Sequence, residues 1–563
     1  MKSEDNSFYQ KQILDVHVEA GSETIYGKLE YGDFGIPTLR LNTLSNTTNF
    51  YNHVRDNVEL ICTTFPEGKK ITLHGIELRE NCVFADYLTK GKMLSQFNKL
   101  ELHLTGLSVW IEGRRGFQRK NDRLERDVST ESFSEPFSFR SQSYFLTTNF
   151  HINTHNESPV KCHFEFEHTL VIQKKEGNFD FTECRELVHE LRNLFSLLTG
   201  HALSVRDVWI FSHANPAQYQ WLYFPSVLYA KYPLQYDFYA LCDFSSLIEG
   251  KKWEGILSNY FGNDTFRNIW NRLVPSYGEM GAWEYDILSR VIILEMYAGV
   301  KTADRKFKLS RIINRDFMKA LQETIESFSA SRDLSGDDRI VYEGMAKAIL
   351  TTKNTSLPTL REKYDALMEQ LSACFRKAIS FTDSDFNRIK NLRDSTAHGG
   401  EYERYSQGDD ISYEMQLSDR LLVLLMCFVY LELGFSESEI ASFFQKSHCS
   451  FIRNANLNTR ELDRLSGGVA FIKLTTPPRE KVLKNYDMVI LDHYKEAGTW
   501  HLNEEITENL HVKWHKSGIP ILLDYIKSIY SQKVDEDFEI VNKAYIESGG
   551  IETEHFSTVI ILH

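Results

Sequence analysis

The chain is short of the residues that build staples and phosphate cradles. Its 563 residues hold eight cysteines, scattered and with no Cys-x2-Cys pair, which argues against a disulfide framework and a thiolate zinc site. It has no Walker-type or dinucleotide glycine loop and no Gly-x-Ser-x-Gly elbow, which removes the commoner nucleotide and hydrolase classes. An excess of positive charge is also lacking, with 64 basic residues against 78 acidic ones. The formal net charge is −14, so bulk nucleic-acid binding over a basic surface is excluded, and an RNA-acting protein of this charge needs a local basic patch. The longest apolar run, Leu421 to Leu431, is too short to span a bilayer. The opening MKSEDNSFYQ lacks the basic, apolar, small-residue progression of a signal peptide. A soluble, cytoplasmic protein with no membrane partner is expected. No internal repeat or long low-complexity segment occurs.

With 42% hydrophobic and 13% aromatic residues, the chain can build ordinary cores, and its length predicts two to four domains. The expected class is multidomain α+β: a β-rich N-terminal domain (1–243), a central all-α helical bundle (244–450) and a small α+β C-terminal domain (451–563). In the first region Ile71 to Leu78, Lys99 to Gly113 and Cys162 to Ile172 alternate with the period of half-buried strands, which predicts an antiparallel sandwich or barrel. Leu187, Leu191, Leu194 and Leu198 then form a helical stripe. The aromatic cluster from Trp209 to Tyr236 reads as core, with a peptide- or sugar-binding face as the alternative. The central region predicts helices over Ser246 to Phe261, Ala282 to Ala298, Asp316 to Phe328, Asp337 to Thr351, Leu360 to Ile379, Ser384 to Ala397, Tyr413 to Leu433 and Glu437 to Phe444. The last region predicts strands over Gly467 to Thr476, Tyr486 to Tyr494 and Phe556 to His563, a helix over Pro520 to Tyr530, and carries no motif.

Several polar constellations invite chemistry. His151, His155, Cys162, His163 and His168 suggest zinc, but on a strand His163 and His168 face opposite ways and no second cysteine completes a set. His511-x3-His515 has helical spacing within a segment, HVKWH, that reads as extended. His189-Glu190 begins like a zincin helix, yet position 193 is asparagine. No metal or other cofactor is expected. Two basic runs stand out: Lys301, Arg305, Lys306, Lys308, Arg311 and Arg315, and Arg114, Arg115, Arg119, Lys120, Arg123 and Arg126. Charge runs are by default solvated faces. The first run is the better candidate for an RNA backbone, because it belongs to the bundle that carries the motif below.

That motif lies in DSDFNRIKNLRDSTAHGG, Asp383 to Gly400. Phe386, Ile389 and Leu392 fall on one helical face, Asp383 or Ser384 can cap the start, and Gly399-Gly400 can end the helix. Arg393 and His398 are then about 7.5 Å apart along the axis, close enough for both to reach one phosphodiester. The negative end of the helix favours protonated His398. The bare Arg-x4-His spacing is expected roughly once by chance in such a chain. Its context, a helix end with an acid after the arginine and two glycines after the histidine, raises it. Arginine binds phosphate oxygens in pairs and stays charged, and histidine moves protons near neutrality. Arg393 is therefore assigned to the phosphate, His398 to the 2′-hydroxyl or leaving oxygen, and Asp394 to orienting one of them. One histidine cannot easily be both base and acid, so a two-fold dimer would supply the second. The bland alternative is an Arg393 salt bridge inside the bundle and a His398 that merely caps.

LRDSTAHGG resembles the Arg-x4-His signature of HEPN ribonucleases, whose members also use a polar residue such as Asp394 after the arginine. LRNLFSLLTGHALSVRDVWIF (Leu191 to Phe211) is similar to the N-terminal domain of ApeA-like anti-phage HEPN proteins. Together the resemblances cover roughly residues 1 to 450. They imply a HEPN bundle, a homodimer with a composite site, and metal-independent endoribonuclease activity on tRNA or another structured RNA in abortive defence. The N-terminal domain would then sense a phage-encoded trigger. Two other classes remain open: a HEPN module that binds nucleotide, RNA or protein without cutting, and a carbohydrate- or peptide-recognition domain with helices for dimerisation.

Overall fold

The computed structural model describes residues 8–20, 23–42, 54, 59–91, 94, 96–113, 118–120, 123–125, 132–158, 161–215, 217–227, 234–277, 283–304, 309–352, 358–397, 411–476, 488–495, 497–521, 524–525, 528, 538–548 and 551–562. The first 90 residues form strands β1 (Gln12–Ala20), β2 (Glu23–Tyr31), β3 (Thr38–Leu41), β4 (Glu59–Thr64), β5 (Lys70–Arg79) and β6 (Cys82–Lys90). Their antiparallel pairing in the order β6-β3-β2-β1-β4-β5 is closed by a further β5–β6 pairing. This is a six-stranded barrel with no free edge. Gly27 on β2 allows the close approach of β3, because a Cβ there would sit 2.5 Å from the Arg40 carbonyl.

From β6 the hydrogen bonding continues into an open antiparallel sheet. It runs through β14 (Tyr219–Tyr223), β13 (Val205–Ser212), β7 (Phe97–Leu104), β12 (Lys161–Lys174), β11 (Gln142–Ser158) and β10 (Ser134–Phe139). A two-stranded ribbon, β8 (Gln118–Lys120) with β9 (Arg123–Glu125), lies apart from it. Helix α1 (Phe181–Thr199) supplies the predicted stripe, with Leu187, Leu191, Leu194 and Leu198 fully buried in the same core as Leu100 and Leu102 of β7. Asp180 caps the helix by accepting from Glu183 N at 2.8 Å. Of the aromatic cluster, Trp221, Tyr223 and Phe224 are core, Tyr236 is exposed, and Tyr229 and Tyr232 lie outside the described residues. The stretch expected as one strand from Lys99 to Gly113 ends at Leu104; Leu107–Glu112 is a helix that buries Leu107, Trp110 and Ile111. Their i, i+3, i+4 spacing is a helical period that alternation alone overrode.

The helical region follows, and two of the predicted long helices are broken. Ser246 to Phe261 divides at Lys251, which has φ 51°, and Leu360 to Ile379 divides where Ser372 caps a new helix. The elements that frame the motif are α2 (Trp283–Lys301), α3 (Arg311–Ser331), α4 (Gly336–Leu350), α5 (Leu360–Met368), α6 (Asp383–Ala397) and α7 (Ser412–Glu432). Every residue of α7 from Leu421 to Tyr430 is buried. One connected apolar cluster runs from Phe8 to Leu462, and the Tyr430 hydroxyl of α7 donates to the Leu198 carbonyl of α1 at 2.9 Å. The barrel-bearing region and the bundle therefore share a core.

The C-terminal sheet has the order β15 (Ala470–Lys473), β18 (Phe538–Ser548), β19 (Ile551–Leu562), β16 (Met488–Tyr494), β17 (Thr499–Leu502), with β15–β18 and β16–β19 parallel. Helix α8 (Glu504–Ser517) covers one face through Leu510 against Met488, Ile490 and Ile560. The segment HVKWH is thus helical rather than extended. An Asn503 cap and a left-handed Gly518 bound it, a local signal stronger than its β-prone residues. Most of the helix expected over Pro520 to Tyr530 lies outside the described residues. The sheet joins the bundle through polar contacts: Asp463 meets Lys543 at 2.6 Å and Tyr545 at 2.6 Å. No helix among the described residues is long and apolar enough to cross a membrane.

Candidate active site

Helix α6 exists because its start and one face are strongly specified. Thr382, not Asp383 or Ser384, caps it: the Thr382 hydroxyl accepts from Asp385 N at 3.2 Å, and the Asp385 carboxylate accepts from Thr382 N at 2.8 Å. This reciprocal box satisfies two end donors. Phe386, Ile389 and Leu392 are buried, and Phe386 stacks on Tyr364 of α5 with centroids 4.5 Å apart.

Polar contacts fix α6 against α7. Asp385 pairs with Arg420 at 3.1 Å, both almost completely buried, and also accepts from the Tyr413 hydroxyl. Burial alone would raise the Asp385 pKa, but the hydrogen bonds from Tyr413 and Thr382, with the charge of Arg420, outweigh it and hold the carboxyl below the ordinary aspartate value. Arg388 pairs with the fully buried Glu414. A second buried set, Arg290 of α2 donating to Ser418 at 2.7 Å beside Asp419 at 3.4 Å, ties α2 to α7.

The last turns of α6 therefore project over α2 in a defined orientation. Arg393 donates from Nη1 to Asp394 Oδ1 at 2.8 Å and from Nη2 to Glu295 Oε2 at 2.9 Å. Its side chain is 31% exposed, Glu295 32% and Asp394 39%, so the guanidinium makes the salt bridge within the bundle that the bland alternative expects, yet is half-buried and within reach of solvent. The hydrogen bond with Asp394, reinforced by the charge of Glu295, holds the Arg393 pKa above its usual value against partial burial. Lys363 of α5 stands 3.7 Å from Glu295, and Lys390 stands 3.8 Å from Asp394. Three cations thus surround two carboxylates, a small locally basic site on an acidic chain, and one that can exchange a carboxylate for a phosphate oxygen.

Other predicted residues are placed differently. His398 lies outside the described residues, one position beyond Ala397 at the end of α6. Arg305, Lys306 and Lys308 also lie outside them. Lys301, at the end of α2, pairs with Glu432 of α7 at 2.6 Å and lies over the Phe266 ring. Arg311 opens α3 and is exposed. The second basic run falls on the β8–β9 ribbon, with Arg114, Arg115 and Arg126 outside the described residues. In the histidine constellation, His151 pairs with Glu101 at 2.6 Å and the main chain of His168 is held by Ser108, while the side chains of His155, Cys162 and His163 lie outside the described set. Position 193 is a buried asparagine that accepts from Arg192.

Glu295, Lys363 and Lys390 escaped the sequence reading. Glu295 is 98 residues from Arg393, and its one signal is that it interrupts the apolar run Val291 to Val300.

Residues 16–259 match the family described as ApeA N-terminal domain 1, and residues 288–439 match the family described as Apea-like HEPN. No curated protein and no solved structure matches the chain. The chain therefore joins an ApeA N-terminal domain to an ApeA-like HEPN domain, the arrangement of the ApeA-like HEPN anti-phage proteins. HEPN domains are generally ribonucleases, and the two matches support a nuclease role in antiviral defence.

Proposed function

We propose that this ApeA-like HEPN protein is a metal-independent endoribonuclease, and that it acts as a cytoplasmic homodimer on tRNA or another structured RNA. The observation that carries the reading is the surface position of Arg393. It lies in the last turns of a helix pinned by buried ion pairs, is oriented by Asp394, and is flanked by Lys363 and Lys390. His398 takes the proton from a ribose 2′-hydroxyl; that oxygen forms a bond to the adjacent phosphorus, and the bond to the 5′-oxygen breaks. The leaving oxygen takes a proton from the second copy's histidine. The products are a 2′,3′-cyclic phosphate and a 5′-hydroxyl. Arg393 neutralises the charge that builds on the phosphoryl oxygens. Uncontrolled cleavage of host RNA would kill the cell, so the N-terminal region is assigned the role of recognising a phage-encoded trigger in abortive infection.

One observation favours a second reading. Glu295 and Asp394 each already accept from one terminal nitrogen of Arg393, as they would in a HEPN module that binds RNA, nucleotide or protein without cutting. The two are separated by incubating the purified full chain with total RNA in EDTA, beside Arg393→Ala and His398→Ala. Fragments ending in cyclic phosphate, lost in both variants, are expected. Cleavage that needs added metal, or that persists in both variants, rejects this site.

A further inference from the structure

Helices α3 and α4 form a hairpin, joined by the short turn Arg332 to Ser335, in which neither helix has a buried residue. The hairpin is real as a pair: Phe328 stacks on Tyr342 with centroids 5.8 Å apart, and the Tyr342 hydroxyl donates to the Ile325 carbonyl. Its inner seam is the half-buried set Met318, Leu321 and Ile325 against Tyr342, Ala346 and Leu350.

A second apolar stripe lies beside that seam and is left open. On α3 it is Ile313, Phe317 and Phe328, exposed by 57, 52 and 48%; on α4 it is Val341, Met345 and Ile349, exposed by 61, 61 and 42%. Ile313, Phe317 and the three residues of α4 are offset by one residue toward the N-terminus from the row of their own inner seam, and Phe328, which stacks on Tyr342, lies at the edge between seam and stripe. In two antiparallel right-handed helices, equal offsets of about 100° rotate both stripes to the same side of the pair. The hairpin therefore presents one continuous apolar face, on the order of a few hundred Å², of the kind that marks an interaction surface.

The occupant is indicated by charge. Residues 311–320 and 344–350, the root of the hairpin, carry three net positive charges, and residues 321–343, the tip, carry four net negative charges. Two such hairpins laid face to face about a two-fold axis put the root of each against the tip of the other. All four contacts between ends are then attractive, and the two apolar faces close on each other as a four-helix bundle. We infer that the α3–α4 hairpin is the dimerisation arm of this protein, pairing with the same hairpin of a second copy. The inference deepens the proposed function, since the composite catalytic cleft requires that second copy, but it stands on residues outside the cleft.

The test uses the full-length chain and sedimentation. A root-reversed variant, Arg315→Glu with Lys319→Glu, and a tip-reversed variant, Glu323→Lys with Glu326→Lys and Asp337→Lys, change only exposed side chains. Each alone is expected to raise the dimer dissociation constant at least about tenfold. Mixed in equal amounts, they are expected to form the heterodimer, because reversed root then faces reversed tip. Met345→Glu is expected to weaken association on its own, by about a hundredfold, with an unchanged far-ultraviolet spectrum. A wild type that stays monomeric, or a dimer indifferent to all three changes, overturns the inference. So does a root-reversed protein that loses RNA binding but associates normally, since the root would then be an RNA surface. Arms that pair as expected in a protein that never makes cyclic-phosphate ends leave this inference standing and remove the catalytic reading.

Discussion

Helix α7 and the α3–α4 hairpin are both rich in large apolar side chains, yet α7 is buried on every side from Leu421 to Tyr430 and the hairpin buries nothing. The difference is written in how the apolar residues are spaced. In α7 they fill the whole circumference, so no direction is left for water, and α1, α2 and the neighbouring bundle helices occupy those directions. In the hairpin they keep to stripes between charged residues, as helices do when one side stays wet. Apolar content alone does not fix burial; the arrangement of that content and the position of the helix in the bundle do.

The comparison can be broken most sharply at the charges buried around α7. Arg420→Ala strands Asp385 in a site where it is 2% exposed, and a loss of about 3–5 kcal/mol is expected in urea unfolding; a loss comparable with that of a surface change would mean the pair is not truly buried. Leu424→Ala on α7 is expected to cost roughly 2–5 kcal/mol. Phe317→Ala on the hairpin is expected to move the stability of the monomer by no more than about 0.5 kcal/mol while weakening association. Equal costs at the two sites would erase the contrast.

Acid sharpens the same contrast. The Asp385 pKa is lower in the folded chain than the ordinary value of 3.8, so its contribution to stability is complete above 3.8 and is lost as the pH falls through the folded value. Asp385→Asn is expected to remove that part of the acid limb, measured as unfolding free energy against pH; an unchanged limb counts against the buried pair. The smallest effect belongs to Glu295. An ion pair about one-third exposed is worth at most about 1 kcal/mol, roughly fivefold, so Glu295→Gln is expected to tighten RNA binding by up to that factor as Arg393 is released. Weaker binding would mean that Glu295 positions the guanidinium instead of competing for it.

Much of the candidate site was legible because it is local. The helix over Asp383 to Ala397, its buried face and the place of Arg393 in its last turns follow from spacing within that segment, while its cap, Thr382, lies one residue before it. The partner of that arginine was not legible. Glu295 reaches Arg393 only because Asp385–Arg420, Arg388–Glu414 and Arg290–Ser418 bring α2, α6 and α7 into one arrangement, and no local pattern records which helices meet.

The sequence by itself determined the classes of region, the existence of strands at β5 and β12, the stripe of α1 and the wholly apolar character of α7, because each of these is a pattern carried along one element; the alternation itself gave way to continuous burial over Ile71 to His74 and His168 to Ile172. Tertiary structure decided the closure of the barrel through β5 and β6, the shared core of Tyr430 and Leu198, and the open face of the hairpin. Those depend on contacts between residues far apart in the chain, whose free energy is realised only when the elements have already been brought together.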